Sequence, residues 1–411
     1  MSNFKFQIQK LKNFYHLLQS ILANVYYGFP SKKLKVIGIT GTDGKTTTTH
    51  LVYNILISSG KKASMISTVY AKIGNEEYDT GLHTTTPNSF QIQKLLKKAV
   101  EAGHEYFVLE TTSHALDQNR VFGINFEVSA ITNISHEHFD YHLNFDNYLQ
   151  AKLKLLLNSK VSLINNDDLF AKRIQGSLNQ NRKKFYSLAL KNKADFQFDY
   201  KSKYDQNLAT FNNYNFLTAF SIAKLLGIDE EKIIKAMKSF TLPLGRYDTV
   251  YDKDFQVVVD FAHAPNAIGN VLFNLKERLK GNGKLIHVFG SAGNRDKSKR
   301  PIMGEESGKY ADITILTEDD PRSEDVVTIC KEISEGLRKY GFSYSSNVNS
   351  ESVKKYTIIP DREKAIKKSL EIVGKGDIIA LTGKGHERGL ARKVEVPWNE
   401  KELVLKLLKE K

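Results

Sequence analysis

A glycine-rich loop that ends in a lysine and several threonines is the segment with the clearest chemistry. Residues 38–49 read Gly-Ile-Thr-Gly-Thr-Asp-Gly-Lys-Thr-Thr-Thr-Thr and lie between a β-branched run and a helical pattern. Such a loop gathers backbone N–H groups and the positive end of a helix dipole around a phosphate. We expect Lys45 to reach the outer phosphates of ATP and the Thr46 hydroxyl to meet a magnesium ion. A tight structural turn is the alternative interpretation.

A carboxylate and a histidine follow two other strand-like segments. Glu110 closes the apolar segment 105–110, and His138 lies in the polar run 133–142 that follows the next apolar segment. Ligands of α/β sheets gather at the carboxyl ends of strands, so both side chains should lie beside Thr46. There they suit Mg²⁺ or Mn²⁺ held against a transferred phosphate. For a single histidine in such a run, a surface or capping role is the alternative.

Polar segments also follow strand-like runs in the second half of the chain. Residues 290–301 combine glycines with basic side chains, which suits an anionic group, although a structural loop with exposed charge is the alternative. Asp-Asp-Pro-Arg at 319–322 and Gly-Lys-Gly-His-Glu at 383–387 each follow an apolar run. Arg246 follows the turn-like segment 242–245, and an arginine there suits the phosphates of ATP.

The elements that must position these residues indicate an α/β protein. Short β-branched runs alternate with longer helical patterns, which predicts a central P-loop-type, doubly wound ATPase domain and a smaller Rossmann-like C-terminal domain. We place an N-terminal helix and connector at 1–34, the central domain at 35–243 and the C-terminal domain at 244–411. The expected strands include 105–110, 127–132, 160–164, 256–260, 284–289, 312–317, 356–359 and 377–382.

The first segment reads as one amphipathic helix. Its apolar residues recur at helical spacing, and Phe29-Pro30-Ser31 ends the pattern. We expect this helix to pack on the domain that follows. The residues at helical spacing are Phe14, Leu17, Leu18, Ile21, Leu22 and Val25.

Composition favours a globular protein that acts on small molecules. The 411 residues are 41% hydrophobic and 26% charged, and no run of 18 apolar residues or signal-peptide pattern occurs. The single cysteine, Cys330, fits a reducing compartment, so we expect a cytoplasmic protein without a membrane partner. The net charge of +14 is spread along helical stretches without a nucleic-acid-binding motif. We therefore expect no nucleic-acid partner, and a monomer.

Several of these segments together resemble the Mur ligase family of ATP-dependent, amide-bond-forming enzymes. Residues 40–47 match its phosphate loop, with Asp43 where the family usually has Asn. Residues 110–116 are similar to the family's Glu-Val-Ser-Ser-His-Ala-Leu, and 132–142 to its Thr-Asn-Leu-x-x-Asp-His-Leu-Asp-Tyr-His, with Glu137 in place of the first Asp. The resemblance extends over roughly residues 25–400.

The resemblance implies ATP and Mg²⁺ as cofactors and assigns residues to each. It makes Lys45, Lys152 and His138 catalytic, and it makes Thr46, Glu110, His138 and Lys152 metal ligands. Lys152 matches the lysine that the family carries in carbamylated form; read without the family, it is a cation on a helix surface. The implied ATP-binding residues are Gly41, Thr42, Asp43, Gly44, Lys45, Thr46, Thr47, Asn133, Arg246, Asp260 and His263.

Within the family, the chain is similar to the branch that adds the third residue of the muramoyl peptide. That branch implies Thr84, Thr85, Thr86, Ser113 and Arg120 as contacts of the muramoyl-peptide substrate. The amino acid would meet Arg295, Asp320, Arg322, Gly383 and Glu387. Asp320 stands where members that add diaminopimelate usually have Asn, so diaminopimelate and lysine both stay open, with diaminopimelate favoured because Arg322 suits a second carboxylate.

The resemblance implies an ATP-dependent ligase that joins diaminopimelate or lysine to UDP-N-acetylmuramoyl-L-Ala-D-Glu through an acyl phosphate. Only residues 1–34 precede the first predicted strand, so we expect the branch's uridine-nucleotide domain to be absent. Either another subunit then binds the UDP group, or the acceptor carries no UDP. A folylpolyglutamate synthase-like ligase is the nearest alternative. A non-catalytic scaffold and a basic nucleic-acid-binding ATPase are the others.

Overall fold

The protein is described by a computed structural model that covers residues 2–80, 85–135, 139–197, 209–279 and 281–410. The chain divides into two compact units, Met1–Thr241 (unit 1) and Leu242–Lys411 (unit 2). No helix among the described residues is long and apolar enough to cross a membrane.

Unit 1 alternates strands and helices in the predicted α/β manner. Its elements are α1 (Ser2–Tyr27), a 3-10 turn (Pro30–Lys33), β1 (Lys35–Thr40), α2 (Lys45–Ser58), β2 (Ala63–Ile66), β3 (Ala71–Ile73), β4 (Glu76–Tyr78), α3 (Ser89–Glu101), β5 (Tyr106–Glu110), α4 (Ser113–Asp117), β6 (Phe126–Ile131), α5 (Phe139–His142), α6 (Phe145–Leu157), β7 (Ser159–Asn165), α7 (Ala171–Gln180), β8 (Lys184–Leu188), α8 (Thr210–Leu225) and α9 (Glu230–Lys238).

The sheet of unit 1 runs in the order β4-β3-β2-β5-β1-β6-β7-β8. The six strands from β2 to β8 in that order pair in parallel, whereas β3 and β4 add antiparallel pairs at one edge. The central strand β1 is buried from Val36 to Thr40, as expected for a parallel strand covered on both faces. Since β1, β2, β5 and β6 run in the same direction, their carboxyl ends meet at one edge, where the polar segments follow.

Unit 2 has a second, smaller α/β arrangement. Its elements are β9 (Asp248–Asp252), β10 (Gln256–Asp260), α10 (Pro265–Arg278), β11 (Leu285–Phe289), α11 (Lys299–Tyr310), β12 (Ile313–Leu316), α12 (Val326–Lys339), β13 (Ser343–Tyr344), β14 (Lys355–Ile358), α13 (Arg362–Ile372), β15 (Ile378–Thr382), β16 (Gly389–Ala391), β17 (Glu395–Pro397) and α14 (Glu400–Glu410).

The main sheet of unit 2 runs β13-β14-β12-β11-β15-β10-β9, with all pairs parallel except β10 with β9. Strands β16 and β17 form a separate antiparallel pair. The predicted α/β class is therefore confirmed in both units. Each strand predicted by sequence is present with its ends within two residues of the expected positions.

The packing of α1 differs from the expectation. The helix does pack on unit 1, but through Ala23 and the polar side chains of Ser20 and Asn24, which are buried. The residues expected to face the domain are largely exposed instead, with Phe14 58% and Leu22 61% exposed. The inward face of α1 is hydrogen-bonded: Ser20 donates to the Asn119 carbonyl and Asn24 to the Phe122 carbonyl.

Candidate active site

The glycine-rich loop adopts a shape that only glycine allows at two positions. Gly44 caps α2 in the left-handed region with φ 80°, and a Cβ there would lie 2.0 Å from the Asn215 side-chain oxygen. A Cβ on Gly41 would lie 1.8 Å from the Thr132 hydroxyl oxygen. Any side chain at either position must therefore displace a neighbour. The loop precedes the N-terminus of α2, so its backbone N–H groups are placed as a phosphate cradle requires.

The segment after β6 holds the loop from the other side. Asn133 accepts from the backbone N–H of Asp43 at 2.9 Å and donates to its carbonyl at 3.1 Å. The Thr132 hydroxyl donates to the same carbonyl at 2.6 Å. The carbonyl of Asn133 accepts from the Thr42 N–H at 2.9 Å. Asn133, predicted as an ATP contact, thus acts in this structure as a clamp on the loop.

Lys45 and Thr46, the first residues of α2, point to different partners. The Lys45 ammonium donates to the Thr42 carbonyl at 2.6 Å, folded back over the loop. The Thr46 hydroxyl donates to the Glu110 carboxylate at 2.8 Å. Thr47, the next predicted contact, is buried. The structure therefore brings the loop and the end of β5 together, as the sequence predicts.

Glu110 is the centre of an oxygen-rich cluster. It is 1% exposed and also accepts from the Thr68 hydroxyl and the Thr68 N–H, both at 2.8 Å. A buried carboxylate with hydroxyl oxygens around it is the donor set that Mg²⁺ prefers, so these residues fit that ion. His138, the other predicted metal ligand, lies outside the described residues.

Lys152 lies beside the same loop. It is 1% exposed on α6, and its ammonium donates to the Gly41 carbonyl and lies 4.6 Å from the centre of the Tyr148 ring. The Tyr148 hydroxyl in turn is 2.8 Å from the Thr42 hydroxyl oxygen. The alternative of a helix-surface cation is therefore wrong, because the side chain is buried against the loop.

The residues expected to contact the acceptor form a second group at the end of β5. The Thr86 hydroxyl donates to the Glu110 carbonyl at 3.1 Å, and Arg120 donates to the Thr86 carbonyl at 2.6 Å. Burial lowers the pKa of Arg120 from its ordinary value. Thr85 is half-buried next to this pair, and Thr84 lies outside the described residues.

Ser113 begins the short helix α4, and its hydroxyl is 3.0 Å from Nε2 of His142. Burial, followed by the neighbouring His114, lowers the pKa of His142 to about 4. His142 is therefore neutral near pH 7 and is able to accept from or donate to Ser113 without carrying charge.

Within unit 2, the segments that begin at Gly245, Asp260 and Gly383 approach one another closely. A Cβ on Gly245 would lie 2.3 Å from the carbonyl carbon of Gly385. Asp260 accepts from the N–H groups of Tyr247 and Ala262, each at 2.7 Å. These contacts fix the backbone on either side of Arg246 and His263.

Aromatic contacts hold the side chains of the same group. The Arg246 guanidinium lies 4.6 Å from the centre of the Phe261 ring, and His263 packs edge-on against that ring at 4.7 Å. The His263 carbonyl accepts from Lys299 at 2.9 Å. The predicted nucleotide contacts of unit 2 are thus assembled as one surface.

Charged residues dominate the predicted amino-acid site. The buried ammonium of Lys384 donates to Asp320 at 2.7 Å and to Glu387 at 2.5 Å. Carboxylate oxygens of Asp319, Asp320 and Glu387 all lie within 4.8 Å of one another. Burial lowers the pKa of Lys384, but the three carboxylates, Asp319 first, raise it above its ordinary value. Burial raises the pKa of Asp319, which Lys384 and Arg362 oppose.

The backbone of this site is strained, and its arginines differ in burial. Asp320 and Arg322 both have left-handed φ angles, 48° and 52°. Arg322 donates to the Gly293 carbonyl at 2.7 Å and lies 4.0 Å from the Asp320 carboxylate. A Cβ on Gly383 would lie 2.6 Å from the Asp319 carboxylate. Arg295 is exposed, so the structure brings together the predicted contacts around Lys384 and leaves Arg295 at the surface.

Four residues that shape these sites were absent from the sequence prediction. Thr68 follows β2, and the rule that polar residues gather at strand ends would have found it. Lys384 lies inside the Gly-Lys-Gly-His-Glu segment, but the sequence pattern alone does not predict that it pairs with Asp320 and Glu387. Tyr148 belongs to the segment 148–152 that resembles the family, but the sequence gives no signal for its contact with the loop, nor for that of Asn215.

Two family patterns match the chain. The pattern of the Mur ligase middle domain matches residues 39–228, and that of the Mur ligase glutamate ligase domain matches residues 245–385. Together they span most of both units.

Named relatives agree with the family patterns. A UDP-N-acetylmuramoyl-L-alanyl-D-glutamate--2,6-diaminopimelate ligase from Aquifex aeolicus is 38% identical over 402 residues, covering 94% of this chain and 80% of the relative. A protein of the same name from Clostridium acetobutylicum is 36% identical over 413 residues, covering 95% of this chain and 81% of the relative.

Solved structures show the same fold. A structure of a UDP-N-acetylmuramoyl-L-alanyl-D-glutamate--2,6-diaminopimelate ligase aligns with a TM-score of 0.60 at 29% identity, covering 92% of this chain and 78% of that one. A bifunctional folylpolyglutamate synthase/dihydrofolate synthase from Yersinia pestis aligns with a TM-score of 0.70 at 16% identity, covering 90% and 92%. At that identity the second likeness concerns the fold alone.

Proposed function

The chain belongs to the Mur ligase family of ATP-dependent amide-bond-forming ligases, and we propose that it joins a diamino acid to UDP-N-acetylmuramoyl-L-Ala-D-Glu. The observation that carries this proposal is the meeting of the glycine-rich loop, Glu110 and the buried Lys152 at one edge of the first sheet. The names of the relatives support diaminopimelate as the amino acid.

The first step activates the acceptor. An oxygen of the acceptor carboxylate attacks the γ-phosphorus of ATP, the bond to the β-phosphate oxygen breaks, and ADP leaves an acyl phosphate. Lys45 swings from the Thr42 carbonyl to the phosphates, and the loop N–H groups offset the charge that develops there. From its place in the sequence, we also assign Arg246 to the phosphates of ATP.

Thr46 and Glu110 would hold Mg²⁺, with His138 as a further ligand. When bound, the ion neutralises charge on the phosphates. The protein's own part is to orient the Glu110 carboxylate, which the hydrogen bonds from Thr46 and Thr68 do.

Lys152 fits this site better as a carbamate than as an ammonium. Its neutral amine would attack the carbon of CO₂, form an N–C bond and lose one proton, giving a carboxylate at the end of the side chain. A buried ammonium beside a metal ion would be repelled by it, whereas a carbamate supplies an oxygen ligand. We therefore assign the carbamylated Lys152 to a metal ion at the loop.

The second step forms the amide. The α-amine of the amino acid attacks the acyl carbon, phosphate leaves with the electron pair of the broken C–O bond, and the nitrogen loses a proton. In the proposed amino-acid site, Gly383 and Glu387 contact the α-amine, Arg295 the α-carboxylate, and Asp320 with Arg322 the distal end. Because three carboxylates there face Lys384 and Arg322, the site suits an amino acid that carries a second ammonium group.

The test is ATP-dependent phosphate release with UDP-N-acetylmuramoyl-L-Ala-D-Glu, with diaminopimelate and lysine assayed in parallel. We expect release that requires the acceptor and one of the two amino acids, and a product whose mass equals both substrates less one water. Release that requires neither substrate would contradict the proposal. Release only with an acceptor that lacks UDP would keep the ligase and change the acceptor.

A folylpolyglutamate synthase-like activity is the second candidate, favoured only by the shared fold. Two segments of unit 2 support the muramoyl-peptide ligase instead: Asp-Asp-Pro-Arg and Gly-Lys-Gly-His-Glu. In the structure, the ion pairs of Lys384 join them. Phosphate release with dihydropteroate or a folate plus glutamate, and none with the muramoyl acceptor, would favour this second candidate.

A further inference from the structure

Two oppositely charged side chains are completely buried in unit 2. Arg362 begins α13 and Glu400 begins α14, and both side chains are 0% exposed. The Arg362 guanidinium donates to both oxygens of the Glu400 carboxylate, at 2.6 Å from Nη2 and 3.0 Å from Nε. Replacing a buried ion pair with apolar side chains often costs no stability. Stability alone is therefore a poor explanation of this pair.

The same guanidinium binds the backbone beside the proposed amino-acid site. Its Nη1 donates to the Glu318 carbonyl at 3.2 Å, and its Nη2 donates to the Thr382 carbonyl at 2.9 Å. Glu318 and Thr382 directly precede residues 319–322 and 383–387, which we call the two segments of the site. Arg362 thus holds the chain at the start of each segment.

The two segments follow strands that are separated in the sheet. They come after β12 and β15, and β11 lies between those strands. The strands are therefore two spacings apart, roughly 9.5 Å. Backbone pairing positions the strands, but side chains must hold together the segments beyond their ends. Lys384 joins the segments through the carboxylates of Asp320 and Glu387, and Arg362 joins them through the backbone.

The charge of Arg362 acts on the same site. Carboxylate oxygens of Asp319, Asp320 and Glu387 lie within 4.8 Å of one another and repel each other. Burial raises the pKa of Asp319, and the positive charges of Lys384 and Arg362 oppose this shift. A second buried cation therefore helps to keep the carboxylates close together.

Other side chains fix the orientation of the guanidinium. The Glu400 carboxylate also accepts from the Trp398 indole N–H at 2.7 Å. The Arg362 backbone N–H donates to the Glu318 carboxylate at 3.2 Å, which in turn accepts from Arg392 at 2.6 Å. A planar guanidinium presents its N–H groups in fixed directions, so the two carbonyls that it binds are held at one spacing.

We propose that Arg362 is a positioning residue of the amino-acid site. By binding the Glu318 and Thr382 carbonyls, it fixes the separation of the two segments and thereby the affinity for the amino acid. This inference rests on the proposed function. It adds to that function a residue that does not itself contact the substrate.

The test compares KM values for the three substrates in the phosphate-release assay of the full chain. The double variant Arg362→Met with Glu400→Gln removes the link without leaving the Glu400 carboxylate unpaired, and the new amide oxygen still accepts from Trp398. The KM for the amino acid should rise about tenfold or more, as expected when binding groups are misplaced. The KM values for ATP and for the acceptor should stay unchanged, as should kcat at saturating amino acid. A folded double variant with an unchanged amino-acid KM would overturn the proposal.

A loss of stability alone should not reproduce this result. Leu337→Ala removes a fully buried side chain near the end of α12, about 18 Å along the helix from Asp325 at 1.5 Å per residue. It should lower the unfolding temperature and leave the amino-acid KM unchanged. An equal rise of that KM in Leu337→Ala would show that general loosening of unit 2 is the cause, and would overturn the proposal.

Arg362→Lys separates geometry from charge, and it carries the test if the double variant does not fold. One ammonium keeps the positive charge but cannot reproduce the directed bonds to Glu400 and to both carbonyls. The amino-acid KM should rise, although less than in the double variant. An unchanged KM would assign the effect to charge and overturn the role in spacing.

The unchanged chain separates this inference from the proposed function. If it releases no phosphate with either amino acid, the proposed function fails and the role of Arg362 fails with it. If the unchanged chain turns over and the folded variants match it, only the role of Arg362 is overturned.

Discussion

The phosphate loop of unit 1 and the charged cluster of unit 2 achieve a defined geometry in different ways. The loop is fixed by shape: Gly41 and Gly44 lie so close to Thr132 and Asn215 that no side chain fits between them. The cluster is fixed by charge: Lys384 lies between Asp320 and Glu387, and the backbone of Asp320 adopts a left-handed φ angle.

This difference predicts how each region responds to substitution. In our proposal, the site fixed by shape binds the phosphates of ATP, which do not vary between substrates, so a small added volume there should destroy activity. A site fixed by a balance of charges should tolerate substitution and change its preference among substrates instead. Lys152 combines both features: its side chain is charged, like those of the cluster in unit 2, but it is buried against the tightly packed loop of unit 1.

The largest effect is expected for Lys152→Ala, which removes the proposed metal-ligating carbamate from the loop. ATP-dependent phosphate release should fall on the order of a thousandfold, as when a charge-stabilising group is lost from an active site. Acetate in the assay should restore part of the rate by occupying the space left by the side chain. Lys160→Ala, an exposed lysine on β7, is the control and should keep the full rate. An unchanged rate in Lys152→Ala would refute the role of this lysine.

The next effect concerns the shape of the loop. Gly44→Ala combines left-handed strain of about 1–2 kcal/mol with a clash against Asn215, so phosphate release should fall roughly tenfold to a hundredfold. Gly60→Ala is a matched control, since Gly60 has the same φ of 80° and no atom within 4 Å of the added carbon. It should lower the free energy of unfolding by about 1 kcal/mol and leave the rate unchanged. Equal rates in the two variants would contradict the claim that shape fixes the loop.

A change of preference rather than a loss is expected for Asp320→Asn. The amide oxygen still accepts from Lys384 and from the Ala391 N–H, but one negative charge is removed. The ratio of kcat/KM for diaminopimelate over lysine should therefore rise about tenfold, equivalent to about 1.4 kcal/mol. Glu371→Gln, on the exposed face of α13, should leave the ratio as it is. If Asp320→Asn lowers both values equally, the cluster does not select substrates by charge.

Unit 2 also contains a buried histidine, His287, that should make the stability of the protein depend on pH. Burial, with a smaller contribution from Arg362, lowers the pKa of His287 to about 3, and its ring nitrogens contact the hydroxyls of Ser307 and Thr382. Below pH about 6.5 the unfolded chain binds a proton that the folded chain does not, so stability is complete above that pH and falls as pH drops.

Chemical denaturation at a series of pH values measures this loss. The contribution of His287 should reach about 1.4 kcal/mol per pH unit between pH 6 and pH 4, in addition to that of His142, and His287→Gln should reduce the measured slope by that amount. A slope that His287→Gln leaves unaltered would show that another group titrates in its place.

Much of the phosphate site could be predicted from sequence because its residues are local. Lys45 and Thr46 follow the glycines directly, and the rule that polar residues gather at strand ends predicts Glu110 beside them without the order of the strands. Thr68 follows β2 and obeys the same strand-end rule, but its contact with Glu110 depends on the pairing of β2 with β5, which the sequence does not show. Asn215 reaches Gly44 from a helix about 170 residues away, a contact that only the folded chain reveals.

Two other features were beyond the sequence for physical reasons. The apolar spacing of α1 predicted the helix correctly but not its orientation, because the inward face carries Ser20 and Asn24, whose hydrogen-bond partners are distant in sequence. The charges of the segments around Asp320 and Lys384 were visible, but their pairing depends on two strand ends, β12 and β15, brought to one side of a sheet.

The most direct test of the proposed chemistry follows the oxygen of the acceptor. The glutamyl carboxylates of UDP-N-acetylmuramoyl-L-Ala-D-Glu are labelled with ¹⁸O, and the phosphate released during turnover is analysed by mass spectrometry. An acyl phosphate requires one labelled oxygen to pass to phosphate in each turnover, and we predict that transfer. Unlabelled phosphate, released while the amide product forms, would contradict the activation of the acceptor by ATP.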